Sequence, residues 1–193
     1  MLYIYSDPIG TGGSRKAYIH PIDHSKCVKV FDGRKCIQSK REIAYYRQLE
    51  KRKNFSWLHV PRFFGKVPTN KGPGMVVELV KDYDGKISRS LSHYLSDGCG
   101  IDRFRSELHQ LKEYLLKYSI IFNYDMSQDN LLYQRLDRKE ARLMIIDGLG
   151  DIVFIPLLNR LKGHVRKKIL RRWGRFEGEL RKHDSRSQPS SGP

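Results

Sequence analysis

The sequence predicts an α+β fold, with an antiparallel sheet and one helix in the first 80 residues and a small helical region after them. Residues 1–80 consist mostly of short apolar runs broken by turn residues, and a single helical pattern interrupts them. In the second half the apolar residues recur mainly at helical spacing. The 193 residues, 39% of them hydrophobic, are enough for a core that needs no disulfide or metal.

Apolar alternation predicts strands near the beginning of the chain. The strand-like runs are Met1–Ser6, Ala17–His20, Lys26–Phe31, Val60–Val67 and Met75–Val80. Turn-forming residues separate them, as a glycine-rich turn at Gly10–Ser14 and a hairpin-like connection at Pro68–Gly74. Between Cys36 and Lys53 the apolar residues recur at helical spacing instead.

The second half begins with an amphipathic helix predicted over Arg103–Tyr118. Two strand-like runs follow, Leu131–Tyr133 and Leu143–Ile146, and a last helix is expected from Pro156 to about His183. The tail from Asp184 is rich in Ser, Pro and Gly and is expected to be disordered. These elements predict two lobes, residues 1–80 and 81–183, followed by the tail 184–193.

The chain is strongly basic, with a formal net charge of +16. Half of that excess lies in residues 157–183, where ten Lys and Arg accompany only Glu177 and Glu179. Such density favours a polyanionic partner, either nucleic acid, an anionic membrane surface or an acidic substrate. A solvated outer face on a helix that buries its apolar stripe explains the pattern equally well.

Cysteine content and hydropathy indicate the cellular setting. The three cysteines are odd in number and widely spaced, which argues against a secreted disulfide scaffold and against a zinc site of CxxC type. No basic leader with an apolar run opens the chain, and no run approaches 18 apolar residues. The expectation is therefore a cytoplasmic protein without a membrane span.

Five short motifs occur along the chain, and the first three lie in residues 1–80. A glycine-rich loop between predicted strands lets the backbone approach phosphate oxygens, and it contains Gly10, Gly12, Gly13 and Ser14. Lys29 lies in an apolar strand, where its charge needs a counter-ion if it is buried. Glu42 on the following helix is a candidate partner. Each motif alone also fits an ordinary turn or a surface charge.

The other two motifs lie in the second half. Asp125 and Asn130 form a D-x-x-x-x-N spacing immediately before an apolar run. An aspartate there can accept a hydroxyl proton, and the asparagine can reach a magnesium ion through its side-chain oxygen. Asp147 ends an apolar strand and is followed by Gly148, so its carboxylate can emerge from the sheet toward Mg²⁺.

In type and order, the five motifs resemble those of the protein-kinase-like fold. Several stretches are similar, more closely, to the PhoP regulatory network protein YrbL family, a bacterial kinase-like group: IGTGGSRKAYIHP, CVKVF, KREIAYYRQLEKR, NYDMSQDNLLY and MIIDGLGDIVFIP. The resemblance covers residues 3 to about 175. It implies a reduced two-lobe kinase fold that uses ATP and Mg²⁺ and transfers the γ-phosphate to a hydroxyl of a protein or small-molecule acceptor.

The resemblance also implies a role for each motif. The glycine loop would cover the nucleotide phosphates, and Lys29, held by Glu42, would grip them. Asn130 and Asp147 would bind the metal, and Asp125 would act as the base. The run Met75–Val80 would form the adenine pocket, with Val77 at its back and the backbone of Glu78 to Val80 facing the base.

Several positions depart from the protein-kinase pattern, among them Asn123 and Tyr124 where protein kinases usually carry His-Arg, and three of the departures favour a second interpretation. Arg15 replaces the third glycine of the loop, where it would either clamp phosphate or close the pocket. Ser127 stands where many kinases carry a lysine, and Gly148 directly follows Asp147. These departures leave a second interpretation, a pseudokinase or adaptor that binds nucleotide or a polyanion without catalysis.

Overall fold

In a computed structural model, the structure describes residues 1–13, 15–31, 36–122, 126–150 and 162–187. These residues form antiparallel strands and four α-helices, which confirms the α+β class. The chain divides into two compact units, Met1–Lys81 and the residues from Asp82 onward.

The first unit is a five-stranded antiparallel sheet with one helix, α1, at Cys36–Glu50. Its strands lie in the order β1-β2-β3-β5-β4. They are β1 Gly10–Thr11, β2 Arg15–Ile19, β3 Lys26–Phe31, β4 Phe63–Thr69 and β5 Gly72–Glu78.

Both faces of this sheet are covered. On one face a core forms from strand residues and the chain beginning, with Ile4 packed among Tyr18, Val28, Val30 and Val76. The other face carries Lys29 and lies against α1, whose Tyr46 ring stacks on Phe63 with centroids 5.3 Å apart. Because neighbouring strand residues point to opposite faces, Lys29 lies on the helix side although Val28 and Val30 belong to the other core.

In its described residues, the second unit contains a three-stranded antiparallel sheet and three α-helices. The sheet has the order β6-β7-β8, with β6 Arg89–Ser90, β7 Leu131–Arg135 and β8 Ala141–Ile145. The helices are α2 Leu91–Ser96, α3 Arg105–Lys117 and α4 Lys162–Ser187. The helix α4 packs against α3 through a buried stripe, formed by Val165, Ile169, Trp173, Phe176 and Leu180.

Two expectations from the sequence differ from this structure. Met1–Ser6 is not a strand, and only Leu2 forms an isolated bridge, with Thr69. The reason is that the backbone N–H and C=O of Ile4 bond to the side chain of Asn70 and not to a neighbouring strand. The pair β6 and α2 was not expected, because two and six residues are too short for a periodic pattern.

The remaining elements agree with the sequence within a few residues at their ends. The helix α1 ends at Glu50 and not at Lys53, and α3 follows a 3-10 turn at Ile101–Phe104. The last helix, α4, continues to Ser187, so residues 184–187 are helical and not part of a disordered tail as predicted. The predicted beginning of this helix, at Pro156, and the rest of the predicted tail, 188–193, lie outside the described residues. Among the described residues, no helix is long and apolar enough to cross a membrane.

Candidate functional site

Lys29 and Glu42, predicted as partners, meet in the first unit. The Lys29 ammonium on β3 lies 3.6 Å from Oε1 of Glu42 on α1. Their side chains are only 8% and 4% exposed. An ion pair this far out of water is costly to form unless each charge has its partner. The strand and the helix therefore hold the lysine and the glutamate against each other.

Arg15 joins the same pair from β2. Its guanidinium donates a hydrogen bond to Oε2 of Glu42 and lies 5.8 Å from the centre of the Phe31 ring. The sequence left open whether Arg15 clamps phosphate or closes a pocket, and its described contact is instead with the glutamate. One buried carboxylate thus faces two cations, a feature that sequence spacing did not reveal.

The predicted glycine loop forms the connection from β1 to β2. The N–H of Gly12 donates to the carbonyl of Arg15 at 2.9 Å, which closes the turn. Neither Gly12 nor Gly13 has a left-handed backbone. A Cβ built at Gly12 would approach no atom closer than 3.7 Å, and one at Gly13 would meet nothing within 4 Å. The fold itself therefore does not require glycine at these two positions, and close approach of a ligand would explain them.

A cavity of about 670 Å³ opens beside this loop. It is lined by Gly12, Gly13, Arg15, Lys16, Tyr18, Val30, Phe31, Lys71, Gly72 and Pro73. Three of these side chains are cationic, and the Lys71 ammonium lies 5.3 Å from the centre of the Tyr18 ring. Lys29, Val77 and Glu78 do not line it, so this cavity is separate from the predicted adenine position.

The predicted adenine-facing run lies at the end of β5. Val77 and Val80 are buried, at 2% and 3% exposure. The N–H groups of Glu78 and Leu79 donate to the carbonyls of Arg62 and Ser25, each at 2.9 Å. These two amides are therefore occupied within the unit, and an adenine would have to use other backbone groups of the run.

Asn130 and Asp147, the predicted metal ligands, are neighbours in the second unit. Leu131 pairs with Ile145, and the N–H of Ile146 donates to the carbonyl of Asn130 at 3.0 Å. This pairing brings Asn130 next to the residue before Asp147. The Asp147 carboxylate accepts the N–H of Gly148 at 2.5 Å, and Gly148 has the left-handed φ of +77° that favours glycine. The glycine that departs from the kinase pattern thus forms the turn after the aspartate.

Asp125 and Ser14 lie outside the described residues, but the segments on both sides of the Asp125 loop are fixed. Before it, Phe122 forms an antiparallel β-bridge with Leu149, and the N–H of Gly150 donates a hydrogen bond to the carbonyl of Ile121. After it, the carboxylate of Asp129 accepts the hydroxyls of Ser92 and Ser127. Phe122 therefore lies beside the segment after Asp147, and Asp129 contacts α2.

Arg172 corrects one expectation from the sequence. It was counted among the ten basic residues of a solvent-facing helix, yet it is 1% exposed. Its guanidinium donates to the backbone carbonyl of Phe122, directly before the Asp125 loop. The physical reason is its spacing, since Arg172 follows Ile169 by three residues and precedes Phe176 by four, which places it on the buried stripe.

The sequence motifs also did not predict a second charged cluster, which Asp82, Asp84 and Arg135 form. Asp82 is 7% exposed and accepts hydrogen bonds from the Ser88 hydroxyl and from Nε of Arg135. Nη2 of Arg135 reaches Asp84 at 2.8 Å. The carboxylate of Asp82, and then that of Asp84, raises the pKa of Arg135 above its usual range. This cluster ties the beginning of the second unit to the end of β7, and the alternation Asp82-Tyr83-Asp84 is its only sequence signal.

The described residues contain no cluster of three or more His, Cys, Asp or Glu side chains arranged to hold a metal ion. Mg²⁺ does not need such a cluster, because it is commonly held by one or two carboxylates together with substrate phosphates. The amide oxygen of Asn130 and the carboxylate of Asp147 are hard oxygen donors, which fit that ion.

Comparison with known proteins identifies the family. The family model of the PhoP regulatory network protein YrbL matches residues 4–181. The chain belongs to this family. The uncharacterized YrbL protein of Escherichia coli is 34% identical over 178 residues, which cover 88% of this chain and 82% of that protein. The YrbL protein of Shigella flexneri matches with the same identity and coverage. The match to the YrbL family includes every site residue discussed above.

Proposed function

We propose that this protein is an ATP- and Mg²⁺-dependent phosphotransferase on a kinase-like scaffold, which transfers the γ-phosphate to a hydroxyl acceptor. The observation that carries the proposal is the buried pair of Lys29 on the third strand and Glu42 on the following helix. In protein kinases a lysine on the third strand pairs with a helix glutamate and contacts the nucleotide phosphates. Burying a lysine charge costs free energy, so a buried lysine without such a role is uncommon.

The second unit supports the same proposal. Asn130 and Asp147 are the residue types that hold Mg²⁺ in kinase-like sites, and backbone pairing makes them neighbours. When bound, the ion would neutralise charge on the phosphates. Asp125 precedes Asn130 by five positions, as the base does in the kinase loop, and would accept the proton of the attacking hydroxyl.

Backbone groups of the first unit that already form hydrogen bonds within it limit which groups can contact the nucleotide. The amides of Gly12 and Gly13 would approach the phosphates where no side chain intervenes. Because the amides of Glu78 and Leu79 donate within the unit, the adenine would be met by the carbonyl of Glu78 and the amide of Val80. Val77 would lie at the back of the base.

Thermal unfolding with and without ATP and Mg²⁺ tests nucleotide binding. A ligand at 100 times its Kd stabilises by about 2.7 kcal/mol, which corresponds to roughly 5–10 °C in Tm for a chain of this size. The shift should require Mg²⁺ and should disappear in Asp147→Asn. The matched control is Asp102→Asn, which removes one exposed carboxylate of the same unit and should keep the full shift.

Turnover then tests catalysis separately from binding. Asp125→Asn should keep the nucleotide-dependent Tm shift and lose about 10²–10⁴-fold in the rate of ADP formation. A Tm shift without any turnover in the wild type would support the pseudokinase alternative. The absence of a shift with any nucleotide would exclude both and leave an adaptor role.

A further inference from the structure

The helix α4 presents a dense row of cations to solvent. We call this set the cationic face. All of its members are exposed except Lys168, which is half-buried, and they are Arg166, Lys167, Lys168, Arg171, Arg175, Arg181 and Lys182. Lys167 and Arg171 lie on one line with positions 174, 178 and 181, because these follow at intervals of three or four residues. The line runs for about 21 Å along the helix.

Among the described side chains of α4, the acids are Glu177 and Glu179, against the seven cations of the face. Glu177 contacts neighbouring side chains although its own side chain is 41% exposed: it accepts the Trp173 indole N–H at 2.6 Å and lies 3.6 Å from the Lys112 ammonium on α3. Glu179 is exposed to solvent. The described side chains of α4 therefore carry an excess of positive charge on the outer surface.

The burial pattern distinguishes between kinds of polyanion. An amphipathic helix binds a membrane by inserting its apolar face into the lipid. In α4 every residue of the apolar stripe is 3% exposed or less, because the stripe packs into the protein. Leu170, at 39% exposure, is the large apolar side chain left on the outside. A protein partner would also need an apolar or aromatic centre, whereas nucleic-acid interfaces are polar and positively charged.

Two glycines in the middle of the cationic face give an independent indication. Gly174 and Gly178 lie inside a long helix, where glycine is less stable than alanine. A Cβ at either position would meet nothing within 4 Å, so packing does not require them. Both lie on the line of Lys167 and Arg171, where the absence of side chains allows a rigid backbone to come close.

We propose that the cationic face of α4 binds the phosphate backbone of a nucleic-acid duplex, without reading its sequence. The described part of the face carries no aromatic side chain for stacking on bases, which single strands would use. The row of lysines and arginines provides phosphate contacts, and Gly174 and Gly178 allow the strand to approach. This activity is separate from the proposed phosphotransferase site.

Fluorescence anisotropy with a DNA duplex of about 20 base pairs tests the proposal, with NaCl varied from about 50 to 200 mM. The full-length chain should bind, and the affinity should fall steeply with salt. The variant Lys167→Gln/Arg171→Gln/Arg175→Gln should reduce the slope of log K against log salt by about 2.7, because each phosphate contact contributes about 0.9. An RNA duplex in a second arm should show the same loss.

The matched control removes three exposed cations from α1, as Lys40→Gln/Arg41→Gln/Arg47→Gln. This variant should keep the wild-type slope of log K against log salt, because the proposal assigns binding to the charges on α4 and not to the net charge of the chain. Gly174→Ala/Gly178→Ala should raise Tm and yet weaken duplex binding. Equal losses in both triple variants would overturn the proposal. Binding to phosphatidylserine vesicles without binding to either duplex would overturn it in favour of a membrane surface.

Discussion

Glu42 holds two cations that come from different strands. Oε1 faces Lys29 and Oε2 accepts a hydrogen bond from Arg15, and all three side chains are less than a tenth exposed. In so little water, opposite charges attract each other more strongly than they do at the surface. The glutamate is therefore the central residue of the cluster, since both cations contact its carboxylate.

This arrangement predicts unequal costs of substitution. Glu42→Gln removes the anionic charge that faces both Lys29 and Arg15 in a buried site, and should lower the free energy of unfolding by about 3–5 kcal/mol. Arg15→Met leaves the Lys29 pair in place and should cost about 1 kcal/mol, an ordinary value for one substitution. Urea unfolding of both variants measures the difference. If Arg15→Met costs as much as Glu42→Gln, the arginine and not the glutamate dominates the cluster.

Cys27 and Cys99 should differ in reactivity. Burial raises the pKa of the Cys27 thiol, and the nearby Lys29 charge opposes that change only in part. At pH 8 the thiol is therefore largely protonated, and the thiolate is the nucleophile. Cys99 is half-exposed. Iodoacetamide should modify Cys27 at least on the order of 10-fold more slowly than Cys99.

Mass spectrometry of the peptides follows each cysteine separately and checks this expectation. In urea, where both thiols are in water, the two rates should become equal. Equal rates in the native protein would mean that β3 opens readily to solvent.

At the scale of elements, α4 has two neighbouring arginines with opposite environments. Arg171 is exposed, whereas Arg172 is buried and donates to the carbonyl of Phe122. Arg172→Met should lower the free energy of unfolding by about 1–3 kcal/mol, because it leaves a buried carbonyl unsatisfied. Arg171→Met should change it by less than about 0.5 kcal/mol. Chemical denaturation of the pair provides the measurement, and equal effects would contradict the assigned burial.

Much of the element structure could be predicted from periodicity, and the exceptions have physical causes. The helices α1 and α3 and the strands β3, β7 and β8 follow from apolar spacing. The helix α2 depends on the Ser90 cap, and β6 depends on pairing with β7, which no local pattern encodes. Arg172 was recoverable, because the spacing 165, 169, 172, 176 and 180 already placed it on the stripe.

At the scale of the whole molecule, the candidate site residues divide between the two units. Lys29 and Glu42 belong to the first, and Asn130 and Asp147 to the second. The order of the motifs and the family resemblance predicted these four residues, and the members of each pair lie on elements that are neighbours in the structure. Arg15 could not be assigned to Glu42 in the same way, because 27 residues separate them and many cations lie nearer in sequence.

The net charge of +16 predicts how stability depends on salt. Like charges repel within the compact state, and at 0.1 M salt that repulsion is screened beyond about 10 Å. Exposed ion pairs, which salt weakens, contribute only about 0–1 kcal/mol each. Tm should therefore rise as NaCl increases from about 0.05 to 0.5 M. Calorimetry at several salt concentrations measures the trend.

The α1 variant Lys40→Gln/Arg41→Gln/Arg47→Gln provides the matched comparison, because it lowers the net charge from +16 to +13 by removing three positive charges. Since repulsion grows with net charge, this variant should have a higher Tm than wild type at low salt and a shallower rise with salt. A Tm that falls with salt would mean that ion pairs outweigh the repulsion. The partly exposed pairs that Arg135 forms with Asp82 and Asp84 would then be the first to remove, because salt screens exposed pairs more than it screens the buried Glu42 cluster.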